Sequence, residues 1–151
     1  MEITKLPEEI LGRKMELAST EDLKAGKYGS LVLDMKKAML EHDGVGLAAN
    51  QIGRDVAVFV IHTKTAEAFK APEVYFNPEI TEYSKDTDEL EEGCLSIPGW
   101  FVPIPRAKKI MFKALYEEGN KIKFKAKGFL ARVLQHETDH LNGLTIKNRT
   151  K

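Results

Sequence analysis

Apolar residues recur with two different periods along this chain, and the change of period separates helical stretches from extended ones. Ser19-Thr20-Glu21-Asp22 reads as a helix start, a hydroxyl cap followed by carboxylates that suit the positive end of a helix. Across residues 30–42, Leu31, Met35, Met39 and Leu40 fall at helical spacing and are expected to face a core. That helix should end before Gly44. Residues 57–61, AVFVI, read as a buried strand, and residues 74–77 as a second. Residues 109–116 and 121–127 flank Glu117-Glu118-Gly119-Asn120, a hairpin turn. In 121–127, Ile122, Phe124 and Ala126 alternate with Lys121, Lys123, Lys125 and Lys127, which predicts one inward and one outward face. Gly128 then opens a helix over 129–141, and Asn142-Gly143 is its stop. The order is helix, helix, strands, helix, with no repeat and no linker. It predicts one α+β domain over residues 1–151.

A chain of 151 residues that is 42% hydrophobic has enough apolar surface for a core. Basic and acidic residues balance at 23 each, so bulk electrostatic capture of nucleic acid or of an acidic membrane is not expected. The lysines of 121–127 read as a solvated outer face, with weak contact to ribosomal RNA as the functional alternative. His42 and His62 have no motif around them. No apolar run approaches membrane-spanning length, and the first residues lack the apolar stretch of a secretory signal. The one cysteine, Cys94, can form no internal disulfide, which suits a reducing compartment. A soluble, cytoplasmic protein is expected.

Candidate chemistry begins in the last helix. His136-Glu137-Thr138-Asp139-His140 is an H-E-x-x-H sequence, and positions i and i+4 of a helix lie one turn apart on the same side. Both imidazoles can reach one divalent ion while Glu137 approaches a water beside it. Such a pattern also arises by coincidence. Here, however, the ionisable residues continue an apolar stripe of Leu130, Val133, Leu134 and Leu141, where burial is costly unless an ion compensates. A catalytic site of this kind usually has a third protein ligand. Cys94, in Glu92-Gly93-Cys94-Leu95-Ser96, is the candidate, against the reading of a small buried hydrophobe. Its thiolate would soften the Lewis acidity of the ion and leave more of the work to Glu137. A third segment, Gly44-Val45-Gly46-Leu47-Ala48-Ala49-Asn50-Gln51-Ile52-Gly53, is small-residue-rich and allows backbone to approach a ligand. Gln51 is there either a donor in a site or a turn residue. The spacing of these glycines is not a dinucleotide signature.

Together GVGLAANQ, EGCLS and QHETDH resemble the three motifs of the peptide deformylase family, in family order. The resemblance implies small antiparallel or mixed sheets packed around a central helix bearing the HExxH sequence. It implies a metal held by Cys94, His136 and His140, Fe(II) natively, with Zn, Ni or Co able to substitute. Glu137 would be the general acid and base. Gln51 and the backbone N–H of Leu95 would stabilise the oxyanion, and Gly46 would hold the substrate backbone. The substrate would be an N-formylmethionyl peptide, attacked by water at the formyl carbon to give formate and a free N-terminus. Val45, Phe129 and Val133 would wall the methionine pocket. Glu92 and Arg106 would form an ion pair behind the metal loop, the alternative being two ordinary surface charges. Bacterial relatives commonly continue into a C-terminal helix that contributes to ribosome docking. Only residues 144–151 follow Gly143 here, so docking by that route is not expected. A zinc endopeptidase shares H-E-x-x-H, but the cysteine motif and GVGLAANQ argue against it. A non-catalytic metal or peptide-binding module would have no need of Glu137.

Overall fold

The structure, a computed structural model describing residues 1–150, is built around a single polar helix. Two short helices come first, α1 (Thr20–Lys24) and α2 (Gly29–Glu41). Strand β1 (Gly46–Ala48), strand β2 (Val58–Ile61) and helix α3 (Thr63–Phe69) follow. Next come β3 (Val74–Tyr83), β4 (Thr87–Cys94), β5 (Ile97–Ala107), β6 (Lys109–Leu115) and β7 (Lys121–Lys127). Helix α4 (Gly128–Leu141) closes the order. Five strands form an antiparallel sheet in the order β1-β2-β3-β6-β7, and β4 and β5 form a separate two-stranded sheet.

Most elements follow from the pattern. Ser19 caps α1, its hydroxyl accepting from the Asp22 N–H at 3.1 Å. In α2, Leu31, Met35 and Met39 are buried as expected, but Leu40 is 56% exposed. The reason is helical arithmetic: nine residues from Leu31 is two and a half turns, which places Leu40 on the opposite face. Strand β2 is buried along its whole length, as a central strand should be. The 109–116 and 121–127 segments form the expected hairpin, in register from Lys109↔Lys127 to Leu115↔Lys121. Its lysines point to solvent, while Ala126 packs under α4 with Ile122 and Phe124 beside it.

Three features depart from the pattern. Strand β3 runs to Tyr83 rather than stopping at Asn77. Asn77 has φ +49° and sits at a register shift, so the alternation breaks there although the strand continues. Helix α3 is only seven residues long and is capped by His62, whose Nδ1 accepts from the Lys64 N–H at 3.1 Å. The Cys94 segment belongs to a hairpin that the pattern does not mark, and Cys94 itself ends β4. The β4–β5 hairpin has no clean alternation, and β5 carries Pro98, Pro103 and Pro105. A strand paired on one side only tolerates them, because the missing N–H falls on the unpaired edge.

Helix α4 lies between the sheets. One core joins Leu130, Ala131, Val133, Leu134 and Leu141 to Phe59, Tyr75 and Phe112 of the larger sheet. A second core packs α2 on the same strands, and a small third one gathers Cys94, Ile97, Ile104 and Ile146. The chain leaves α4 through Gly143, at φ +80°, where an added Cβ would stand 2.7 Å from the Arg13 nitrogen. Among the described residues, no helix is long and apolar enough to cross a membrane.

Candidate active site

Helix α4 presents His136 and His140 one turn apart, their ring centroids separated by 5.0 Å. The end of β4 brings Cys94 to them, with its Sγ 3.2 Å from His140 Nε2. The ligand atoms of Cys94, His136 and His140 all lie within 4.8 Å of one another. Each imidazole is set in place from behind. Glu92 accepts from His136 Nδ1 at 2.9 Å, which turns the Nε2 side of that ring toward Cys94 and Glu137, where its lone pair can serve as a metal ligand. Asn50 donates to the His140 carbonyl at 2.6 Å and ties the end of α4 to the GVGLAANQ segment.

The electrostatics favour a cation at this point. Burial disfavours a charge on His136, but the Glu137 carboxylate and contacts with Cys94 and Glu92 outweigh it and push His136 up to about 10. Burial, together with the charge of His136, holds His140 well below its ordinary value. Burial also pushes Glu137 up to about 7, against the pull of His136. Among the buried side-chain atoms that find no partner in the described residues are two of the H-E-x-x-H sequence's own ionisable groups, Glu137 Oε1 and His140 Nδ1. A sulfur and two imidazole nitrogens at this spacing, with a buried carboxylate on the same helix, fit a divalent metal with tetrahedral preference and one position left open.

Behind the ligands is a buried ion cluster that exceeds the expected pair. Glu92 accepts from Arg106 Nε and Nη2, both at 2.9 Å, from Arg132 Nη1 and from His136. Burial opposes ionisation of Glu92, but these donors hold its carboxyl well below the ordinary carboxylate range. Arg106 also reaches Asp139 at 2.8 Å, and Arg149 grips the same carboxylate. Gln135 pins α4 to the end of β5, donating to the Ala107 carbonyl at 2.9 Å and accepting from its N–H at 3.2 Å. Sequence reasoning missed Arg132, Gln135, Asp139, Arg149 and Asn50. The available signal was that α4 carries too many polar residues on too many faces to leave a solvated side.

The remaining expected residues gather around a cleft of about 920 Å³ lined by Val45, Gly46, Gln51, Cys94, Leu95, Phe129, Val133, His136 and Glu137. Gln51 is 2% exposed and so is no surface glutamine. Its Nε2 donates to Ser96 Oγ at 3.2 Å and lies 3.7 Å from Cys94 Sγ, while its Oε1 accepts from the Ala48 N–H. Gly46 lies against Glu137: an added Cβ would stand 2.7 Å from Oε2. Val133 is buried, whereas Val45 and Phe129 are partly exposed and form the rim rather than the floor.

Three clustered metal-competent side chains, two of which line the cleft with a carboxylate alongside, are the donor set of a metal-dependent hydrolase. Comparison with known proteins gives the family. The polypeptide deformylase family model matches residues 1–151. A peptide deformylase of Dictyoglomus turgidum is 42% identical over 149 residues, which cover 99% of this chain and 92% of that protein. The crystal structure of peptide deformylase from Thermotoga maritima superposes with a TM-score of 0.88 at 34% identity, covering 99% of this chain and 96% of that one. The Met-Ala-Ser-bound enzyme of Acinetobacter baumannii gives 0.88 at 34%, covering 99% and 98%. The chain belongs to the polypeptide deformylase family and is a hydrolase that removes the N-formyl group from nascent peptides.

Proposed function

We propose that Cys94, His136 and His140 hold one divalent ion, Fe(II) in the cell, and that Glu137 carries the proton for cleavage of an N-formylmethionyl peptide. Likeness to the family in all three motifs supports Fe(II), and Zn, Ni or Co would fit the same donors. The ion, when bound, supplies Lewis acidity to the hydrolysis. Glu137 accepts a proton from the attacking water and returns it to the leaving amine, so water and formamide become formate and a free N-terminus. Gln51 Nε2 and the Leu95 N–H donate to the formyl oxygen as it becomes negative. The small residues around Gly46 let the peptide backbone come close, and the methionine side chain packs on Val133 with Val45 and Phe129 at the rim. A formyl carbon bears only hydrogen, so a cramped centre admits it and excludes larger acyl groups. A thiolate ligand must stay reduced, which supports a cytoplasmic location.

The observation that carries this reading is Glu137: buried, with Oε1 unpartnered, beside three metal-competent donors. The test is formate release from formyl-Met-Ala-Ser by protein loaded with Ni or with Fe under anaerobic conditions. Glu137→Gln should lose roughly 10²–10⁴-fold in kcat while retaining metal. Full activity in that variant, or no release by the metal-loaded protein, would overturn the assignment. Metal analysis of anaerobically purified protein tests Fe(II) separately.

A further inference from the structure

Residues 144–149 approach the metal site from behind, and none of them lines the cleft. After Gly143 the chain makes a single turn of 3-10 helix at Ile146–Asn148. Thr145 and Asn148 fix that turn: Asn148 Oδ1 accepts from the Thr145 N–H at 2.9 Å, and Thr145 Oγ1 accepts from the Lys147 N–H at 3.2 Å. Ile146 is buried with Cys94, Ile97 and Ile104 of the β4–β5 hairpin, and Lys147 Nζ stands 5.8 Å from the centre of the Trp100 ring. The turn therefore rests on the hairpin, and Arg149, just beyond it, reaches across to α4.

Arg149 holds Asp139 by two bonds, from Nε to Oδ2 at 3.0 Å and from Nη2 to Oδ1 at 2.9 Å. Asp139 Oδ2 also accepts from Arg106 Nη1 at 2.8 Å. Arg106 turns Nε and Nη2 to Glu92, and Glu92 accepts from His136 Nδ1. A chain of alternating charges thus runs from an exposed arginine to a metal-competent imidazole: Arg149, Asp139, Arg106, Glu92, His136. Arg106 is shared between two carboxylates, so what Asp139 takes Glu92 loses. With Arg149 in place, Asp139 divides its charge between two guanidiniums. Without Arg149, Oδ1 loses its cation and Asp139, only 9% exposed, draws on Arg106 alone. The Arg106 guanidinium is then pulled from Glu92, and the acceptor behind His136 is less firmly fixed.

We propose that Arg149 is a positioning residue for the metal centre, acting through Asp139, Arg106 and Glu92 to hold His136 ready for the ion. The inference rests on Cys94, His136 and His140 as the metal ligands and gives a role in that site to a residue outside the cleft. The bland role is an ordinary ion pair on a half-exposed arginine, which would add little to stability and nothing to metal affinity.

The experiment is chelator competition on the full chain loaded with Ni, alongside thermal unfolding of the metal-free protein. Loss of an acceptor bonded directly to a ligand weakens metal binding roughly 10–100-fold, so a grip further along the chain of charges is worth about 5-fold. Arg149→Gln should weaken Ni binding by about 5-fold while melting within about 4 °C of the parent. Trp100 is the only tryptophan, and its emission should not change, because Ile146 and Lys147 stay docked. Arg149→Lys keeps the charge but only one of the two bonds and should fall between parent and Arg149→Gln. The route is tested by a cycle with Glu92→Gln: once Glu92 has lost its charge, Arg149→Gln should change Ni affinity by less than about 1.5-fold. Unchanged Ni affinity in Arg149→Gln, an equal loss in the Glu92→Gln background, or a loss accompanied by shifted Trp100 emission overturns the proposal and leaves the metal site standing. Failure of the parent protein to retain Ni removes both.

Discussion

Glu92 is where stability and metal affinity meet, and Glu92→Gln separates them. The carboxylate is 8% exposed and accepts from Arg106, Arg132 and His136. An amide of the same shape removes its charge and turns one acceptor into a donor facing other donors. Removing one partner of a buried ion pair costs about 3–5 kcal/mol. Here the lower end applies, since Arg106 keeps Asp139 and Arg132 keeps Asp88, each at 2.8 Å. About 3 kcal/mol is a large share of the ~5–15 kcal/mol that holds a domain together, and lowers Tm by roughly 6–12 °C at this size. The same change releases His136 Nδ1, and loss of such a supporting acceptor weakens metal binding roughly 10–100-fold. Thermal unfolding of the metal-free protein reads the first effect, and competition with a chelator reads the second. The carboxyl of Glu92 is held below its ordinary value of 4.5, so its contribution is complete above that pH and is lost only as pH falls through the depressed value. The gap between parent and variant should thus be constant from about pH 5 to 6, above both values for Glu92 and below the range in which His136 titrates. A metal-free variant melting within about 2 °C of the parent, with unchanged chelator competition, would refute the account of the cluster.

Three further outcomes follow from the geometry. Gly46→Ala places a Cβ 2.7 Å from Glu137 Oε2 and should lower kcat by about 100-fold with metal content unchanged; normal turnover would show that Glu137 does not need its present position. His136 is pushed up to about 10 and Glu137 to about 7, so each stabilises the metal-free protein in its protonated form. Those contributions fade between about 4.5 and 7 for Glu137, and between about 6.5 and 10 for His136. Melting of metal-free protein should therefore fall with rising pH while metal affinity rises, because loading displaces the His136 proton; a pH-independent affinity would contradict this. Replacing Lys121, Lys123, Lys125 and Lys127 together by glutamate should leave formate release from a short peptide unchanged, since they lie on the sheet face away from α4. Ribosome co-sedimentation of that variant should also be unchanged if the face is merely solvated, and a loss of pelleting would assign it to RNA.

Helices α1, α2 and α4 and the β6–β7 hairpin were legible because their signals are local: an apolar period, a serine cap, a glycine turn. The metal trio was legible because two of its members share one helical turn and the third is the only cysteine. Leu40 lies half a turn round the helix from Leu31 and faces solvent, while Leu31, Met35 and Met39 are buried. The β4–β5 hairpin was not legible. Its outward positions mix Glu89, Glu91, Pro103 and Pro105 with Gly93 and Phe101, and its inward ones hold Glu92 and Arg106, so no clean apolar alternation marks it. The ion cluster was hidden for another reason. Glu92 meets Arg132 across 40 residues of sequence and Arg106 across 14, and no local pattern records such pairings.

The polarity of α4 explains why the fold and the site cannot be separated. A helix buried nearly all round is ordinarily apolar, yet this one buries Arg132, Gln135, Glu137, Thr138, Asp139 and His140. Each buried polar group costs free energy unless something answers it. Gln135 is answered by the end of β5, Arg132 by Glu92 and Asp88 of β4, and Asp139 by Arg106 and Arg149. Helix α4 can therefore be buried at low cost only when the β4–β5 hairpin has docked, and docking that hairpin is what carries Cys94 to the two imidazoles. Helix α4 also leaves Glu137 Oε1, Thr138 Oγ1 and His140 Nδ1 without a partner among the described residues. Of these residues only Glu137 lines the cleft, beside Cys94 and His136, so its oxygen is the one to which the cleft can supply the missing partner.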